Sequence, residues 1–123
     1  MDNFKPLSAH AIGRSGEKLA LSYLEKNKYR VIEKGFRLYR GEIDLICLDG
    51  AALVFVEVKT RRSQPFSLPE ESVTPAKQDQ IRKIAAGYLQ KNGLHDVECR
   101  FDVISVIIDE DLSPSISHIK NAF

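Results

Sequence analysis

Two carboxylates stand inside otherwise apolar runs. Asp44 lies in Glu42-Ile43-Asp44-Leu45-Ile46 and Glu57 in Phe55-Val56-Glu57-Val58-Lys59. A charge placed among apolar neighbours is costly unless it is paired or holds a cation. The dipeptide Asp49-Gly50 between the two runs is a hairpin signal, so the runs are expected to be neighbouring strands. Pairing about that turn sets residues whose numbers sum to about 99 opposite each other. Asp44 then faces the stretch 52–57, and the two carboxylates approach at the open end of the hairpin. Glu57 and Lys59 are two residues apart and project from one face.

Two carboxylates and a lysine on one face suit a hard divalent cation, Mg²⁺ or Mn²⁺. Mg²⁺ takes oxygen ligands, typically one or two carboxylates, and keeps several waters. The backbone carbonyl of Val58 offers one more oxygen beside Glu57. Such an ion polarises a phosphate oxygen and acidifies a water for in-line attack. Lys59 would orient that water or offset charge in the transition state. A structural ion-pair network of Asp44, Glu57 and Lys59 accounts equally well for the three residues, because Glu-x-Lys triplets are common on solvated strands.

The elements that must position these groups follow from capping and periodicity. Ser8 caps a helix expected over 9–27, with Ile12, Gly16, Leu19, Ala20, Tyr23 and Leu24 at the spacing of one buried face. Gly13 and Gly16 each weaken that helix by about 1 kcal/mol relative to Ala, which points to close packing or to room needed near Glu17. Strands are expected over 30–34, 42–48 and 53–60, the last apolar at nearly every position but Glu57, as in a central strand covered on both faces. A long loop, 61–73, carries Pro65 and Pro69. Thr74 and Pro75 then start a second helix, with Ile81, Ile84, Ala85, Tyr88 and Leu89 as its buried stripe and Gly93 at its close. A final strand over 97–108 precedes a short tail. This order implies an α/β fold, a central sheet sandwiched between helices, in a single domain spanning 1–123.

Hydrophobic residues make up 43% and charged residues 28%, an ordinary globular composition. No apolar run approaches the roughly 18 residues of a membrane span, and the opening residues lack a secretory pattern, so a cytoplasmic location is expected. Cys47 and Cys99 form no CxxC pair and read as reduced, buried thiols. His10, His95 and His118 stand near no nucleophile motif, and no Gly-rich phosphate loop is present. Net charge is +1, yet residues 1–95 hold 16 Lys and Arg against 11 Asp and Glu, while 96–123 hold 2 against 6. A basic body with an acidic end permits a phosphate-binding face.

The chain resembles the uncharacterised YraN-like family of small bacterial proteins, within the restriction-endonuclease-like, PD-(D/E)xK superfamily. The resemblance covers nearly the whole length. It rests on Gly13-Arg14-Ser15-Gly16-Glu17, Gly41-Glu42-Ile43-Asp44-Leu45-Ile46, Phe55-Val56-Glu57-Val58-Lys59-Thr60-Arg61, Lys77 with Ile81, Arg100-Phe101-Asp102-Val103 and Asn121-Ala122-Phe123. It implies a restriction-endonuclease-like fold with a mixed central sheet, and metal-dependent hydrolysis of DNA, with branched or Holliday-junction substrates suggested by resolvase-like relatives. Asp44 matches the superfamily's metal-binding aspartate, Glu57 and Lys59 its (D/E)xK pair, and Glu17 the helix-one glutamate of resolvase-like members. Lys77, Gln78 and Arg61 are the candidate phosphate contacts. Ile43 stands where the superfamily name has proline. A homodimer is a further expectation for a nuclease of two-fold substrates, although the sequence marks no dimer face. The alternative is a nucleic-acid-binding or protein-interaction module that keeps the fold with little or no turnover.

Overall fold

Local capping decides where both helices begin. In the computed structural model, which describes residues 8–62, 73–109 and 113–123, helix α1 (Ala9–Lys26) starts where the Ser8 side chain accepts the amide of Ala11. Helix α2 (Pro75–Lys91) starts where Thr74 accepts the amide of Lys77, with Pro75 in its first turn. Between and after them run β1 (Arg30–Leu38), β2 (Gly41–Asp49), β3 (Ala52–Arg62), β4 (Cys99–Ile108) and β5 (Pro114–Ile119).

The strands form one mixed sheet in the order β1-β2-β3-β4-β5. All neighbours are antiparallel except β3 and β4, which are parallel and joined through α2. Ile12, Ala20 and Leu24 of α1 pack with Leu45, Cys47, Val54, Val56, Ile104 and Val106 on one face. Ile81, Ile84, Ala85 and Tyr88 of α2 pack with Leu53, Phe55 and Val103 on the other. This is the α/β arrangement of a restriction-endonuclease-like domain, with β3 central and covered on both sides. No helix among the described residues is long and apolar enough to cross a membrane.

Four expectations are corrected. β1 continues past Lys34 to Leu38, because Gly35 adopts φ +63° and turns the strand without ending it. The expected tail contains β5, an edge strand whose Ser115, Ser117 and His118 disguise its alternation. The hairpin pairs Asp49 with Ala52 and Leu45 with Val56, so its loop is Gly50-Ala51 and the register sum is two higher than expected. The shift is even, so each residue keeps its face. Of the long loop, Arg61 and Arg62 belong to β3, and residues 63–72 lie outside the described residues.

Gly16 brings α1 against β3. A Cβ there would collide with the Thr60 side chain, whose branched carbon leaves it little freedom to turn away, whereas one at Gly13 would meet nothing among the described residues. Gly16→Ala is therefore expected to destabilise. The helix-propensity gain of about 1 kcal/mol is outweighed by overpacking of about 1–3 kcal/mol. Urea unfolding of Gly16→Ala beside Gly13→Ala checks this, the second variant moving in the opposite direction.

Candidate functional site

The site forms where the sheet is irregular. Leu45 and Cys47 belong to the α1-side core, but Ile43 belongs to the α2-side core. Regular alternation would put all three on one face. β1 changes face in step: Lys34 pairs with Leu45 and Phe36 with Ile43 in unbroken register, yet Phe36 lies on the α2 side. The register shift of this strand pair falls earlier, between Val31 and Glu33. The change of face, a slip in alternation, falls at Gly35 and Asp44, between the pairs Lys34–Leu45 and Phe36–Ile43. Gly35, at φ +63°, supplies a backbone conformation that L side chains rarely adopt.

Next to this slip the β2–β3 pairing ends, its last pair being Leu45 with Val56. One step further, the Val58 amide donates to Asp44 Oδ2 at 2.8 Å. A carboxylate thus accepts from a strand amide where a regular ladder would offer a carbonyl. This explains how Asp44 can be half-buried and still have a fixed partner.

The electrostatics at this point disfavour the anion. Burial, and next the charge of Glu57, raise the Asp44 pKa to about 7, against the opposing hydrogen bond from Val58; Glu17 and Glu42 add repulsion. Glu57 is also raised, by burial first, while Lys77 and Lys59 pull it back and Glu42 and Glu17 oppose them. Charges from β2, β3, α1 and α2 therefore converge on two carboxylates: Glu57, Glu17 and Glu42 act on Asp44, and Lys77, Lys59, Glu42 and Glu17 act on Glu57. Glu17 does so from an exposed position on α1, one residue beyond the Gly16 contact with Thr60. Gln78 uses its amide to donate to the Val73 carbonyl at 2.9 Å, tying the start of α2 to the preceding chain. Arg61 is half-buried toward the end of β3, paired in register with Ile107. Glu42 escaped the sequence reading; its position two residues before Asp44 was the available signal.

The donor set fits a hard divalent cation of modest coordination by protein: Asp44 and Glu57 carboxylates, with the Val58 carbonyl between Glu57 and Lys59. Two anions made costly by burial and mutual repulsion gain from a shared positive charge. Among the described residues no group of three or more His, Cys, Asp or Glu is arranged to hold a metal ion. Any such ion would draw its remaining oxygens from water or substrate, as Mg²⁺ usually does.

A family model described as "Uncharacterised protein family UPF0102" matches residues 16–106, a span that holds every residue of this site. The chain belongs to this family. The UPF0102 protein GSU0650 of Geobacter sulfurreducens is 49% identical over 112 residues, covering 91% of this chain and 88% of its own. The UPF0102 protein of Geotalea uraniireducens is 46% identical, covering 92% and 89%. That of Alkaliphilus metalliredigens is 43% identical, covering 92% and 97%.

On the α1 side of the sheet this UPF0102 chain holds a second polar cluster, buried and fully paired. Asp102 has no exposed surface. It accepts from Arg100 Nε at 2.9 Å and a second guanidinium nitrogen at 3.0 Å, and from the Asn121 amide at 3.0 Å. His118 Nε2 lies 2.7 Å from the same carboxylate and Nδ1 3.2 Å from the Tyr23 hydroxyl. A carboxylate only accepts, so Nε2 carries a proton. Arg100 also donates to Asp49 at 2.9 Å and to the Tyr29 hydroxyl at 2.8 Å. Burial would raise the Asp102 pKa, but hydrogen bonds from His118, Arg100 and Asn121 outweigh it and hold the group at about 2. Both cysteines are free; Cys47 is buried as expected, whereas Cys99 is only half-buried.

Proposed function

We propose that the protein is a Mg²⁺- or Mn²⁺-dependent endonuclease that hydrolyses DNA phosphodiester bonds in the cytoplasm, with branched or junction DNA as its substrate class. The observation that supports this reading is that the charge of Glu57 acts on Asp44, and that of Lys59 on Glu57, just beyond the last β2–β3 pair, where Asp44 accepts the Val58 amide. Asp44, Glu57 and the Val58 carbonyl would hold the cation. Bound there, it supplies Lewis acidity toward a phosphate oxygen and lowers the pKa of a water. Asp44 would hold the cation as a carboxylate, a form that burial and the charge of Glu57 disfavour when no positive charge is added. Lys59 shares the Glu57 face and brings an ammonium to charge developing on the phosphate. Lys77 restrains Glu57 from the first turn of α2. Glu17 adds a carboxylate from α1. Arg61 and Gln78, flanking this group along β3 and α2, are the further phosphate contacts. The branched-substrate part rests on analogy of fold.

A binding module with little or no turnover is the second reading, favoured by the absence, among the described residues, of three side chains arranged around one ion. A cleavage assay separates the two. Single-stranded, duplex, flap and four-way-junction DNA are incubated with the protein in Mg²⁺, in Mn²⁺ and in EDTA. The expected result is metal-dependent cleavage, strongest on a branched substrate, falling about 100-fold or more in Lys59→Ala. Cleavage that survives that substitution overturns the assigned mechanism. Binding without cleavage in either metal establishes the module instead.

A further inference from the structure

The β1–β2 loop holds an unusual tip. Leu38 pairs with Gly41, so Tyr39 and Arg40 alone make the turn, at φ +53° and +57°. Two-residue loops with both central residues at positive φ favour Asn and Gly, because an L side chain is strained there. Two consecutive bulky residues thus keep a strained backbone conformation, as is common at functional sites. The tip is also held from behind. Leu38 and the edge of the Tyr39 ring fill the space beside Gly87 of α2, where a Cβ would collide with Leu38 and crowd Tyr39 at 3.1 Å.

What this rigid tip displays is an aromatic ring among cations. Tyr39 is 52% exposed, one of two large apolar side chains left in solvent among the described residues. The Lys83 ammonium sits over one face of the ring, 4.9 Å from its centroid, so a base would stack on the opposite face. Arg37, Leu38, Arg40, Gly41 and Glu42 line a cavity of about 470 Å³ beside it. Arg37 reaches Glu42 only at 4.0 Å, with its side chain 83% exposed, so its charge is largely available to a ligand. Glu42, in turn, acts electrostatically on both Asp44 and Glu57. Glu42 lines the cavity and stands two residues before Asp44 on β2, so cavity and candidate metal site share one strand.

We infer that the Tyr39-Arg40 tip is a platform for one unpaired nucleotide, the base stacking on Tyr39 and the flanking phosphates held by Arg37, Arg40 and Lys83. An aromatic face within a cationic groove is the arrangement that binds single-stranded nucleic acid, since every base has a face to stack and every linkage a charge. A duplex keeps its bases stacked and offers none to the ring. The inference rests on the nuclease reading of the adjoining site, and it sharpens the substrate to DNA with an unpaired nucleotide next to the bond to be cut.

Binding is measured in a Lys59→Ala background with Mg²⁺, using a single-stranded oligonucleotide that carries 2-aminopurine and, separately, a relaxed covalently closed duplex circle. Tyr39→Ala is expected to weaken single-strand binding about 5- to 150-fold and to remove the 2-aminopurine quench. Duplex binding should change by less than about 2-fold, because paired bases do not reach the ring. Tyr39→Phe keeps the ring and should retain both affinity and quench. Arg40→Ala should lower the salt slope by about 1 on either nucleic acid. The platform is overturned if Tyr39→Ala binds the single strand normally, if both substrates lose affinity equally, or if Tyr39→Phe fails like Tyr39→Ala. Metal-dependent cleavage alongside any of those outcomes would leave the nuclease reading standing. A parent protein that binds neither nucleic acid overturns both.

Discussion

Asp102→Ala is expected to cost about 3–5 kcal/mol of folding free energy, a large part of the roughly 5–15 kcal/mol that holds a domain of this size together. The carboxylate is fully buried and receives Arg100, His118 and the Asn121 amide at 2.7–3.0 Å. Truncation leaves a guanidinium, an imidazole and an amide without their acceptor, and breaking one side of a buried pair costs more than the pair contributes when whole. It also loosens what Arg100 joins, namely Asp49 at the end of β2 and Tyr29 before β1. The pH dependence has a definite sign. The folded carboxyl titrates near 2 and an unperturbed one near 3.8. Its stabilisation is therefore complete above about pH 4 and lost as pH falls toward 2, a change of about 2 kcal/mol. Urea unfolding from pH 7 to 2 should show that loss in the parent chain and a shallower one in Asp102→Asn. Equal stability of Asp102→Ala and parent at pH 7 would mean the cluster contributes nothing to folding.

The second large effect has the opposite sign. Asp44 titrates near 7 in the folded chain against 3.8 when unperturbed. Between about pH 4 and 7 the folded state keeps a proton that the unfolded state has released, so stability falls as pH rises and levels off above 7. The full shift corresponds to about 4 kcal/mol, and solvent reaching the partly exposed group reduces it to about 2–4 kcal/mol. Asp44→Asn cannot ionise, and its amide oxygen still accepts from Val58. Without divalent cation it should be more stable than the parent by about that amount at pH 8 and nearly equal at pH 4. Millimolar Mg²⁺ or Mn²⁺ should then raise the melting temperature of the parent and leave that of Asp44→Asn unmoved. A parent melting curve indifferent to both metals at pH 8 would remove the metal site. The two substitutions thus separate a carboxylate that stabilises the fold from one that burdens it.

The same contrast describes what was legible in the sequence. Ser8, Thr74 and Pro75 announce their helices because capping is local chemistry. Glu57 announces itself because six neighbouring positions from Leu53 to Val58 are otherwise apolar. The hairpin was legible, but its register was not, since Ala51 joins Gly50 in the loop and Asp49 stays in β2. The Asp102 cluster was not legible at all as a unit. Its partners lie 16, 19, 51 and 71 positions apart, joining elements that meet only once the sheet has formed. Tyr39 looked ordinary for a related reason: a turn residue draws notice when it is Gly or Asn, and here the backbone takes that shape in spite of the side chains. β5 was hidden because an edge strand needs only one apolar side.

One consequence of the slip at Asp44 concerns the whole molecule. β2 hands its side chains from one core to the other within three residues, Ile43 to the α2 side and Leu45 to the α1 side. Asp44 is thus flanked on its two sides by residues anchored in opposite layers, so repacking either layer reaches its backbone through one peptide unit.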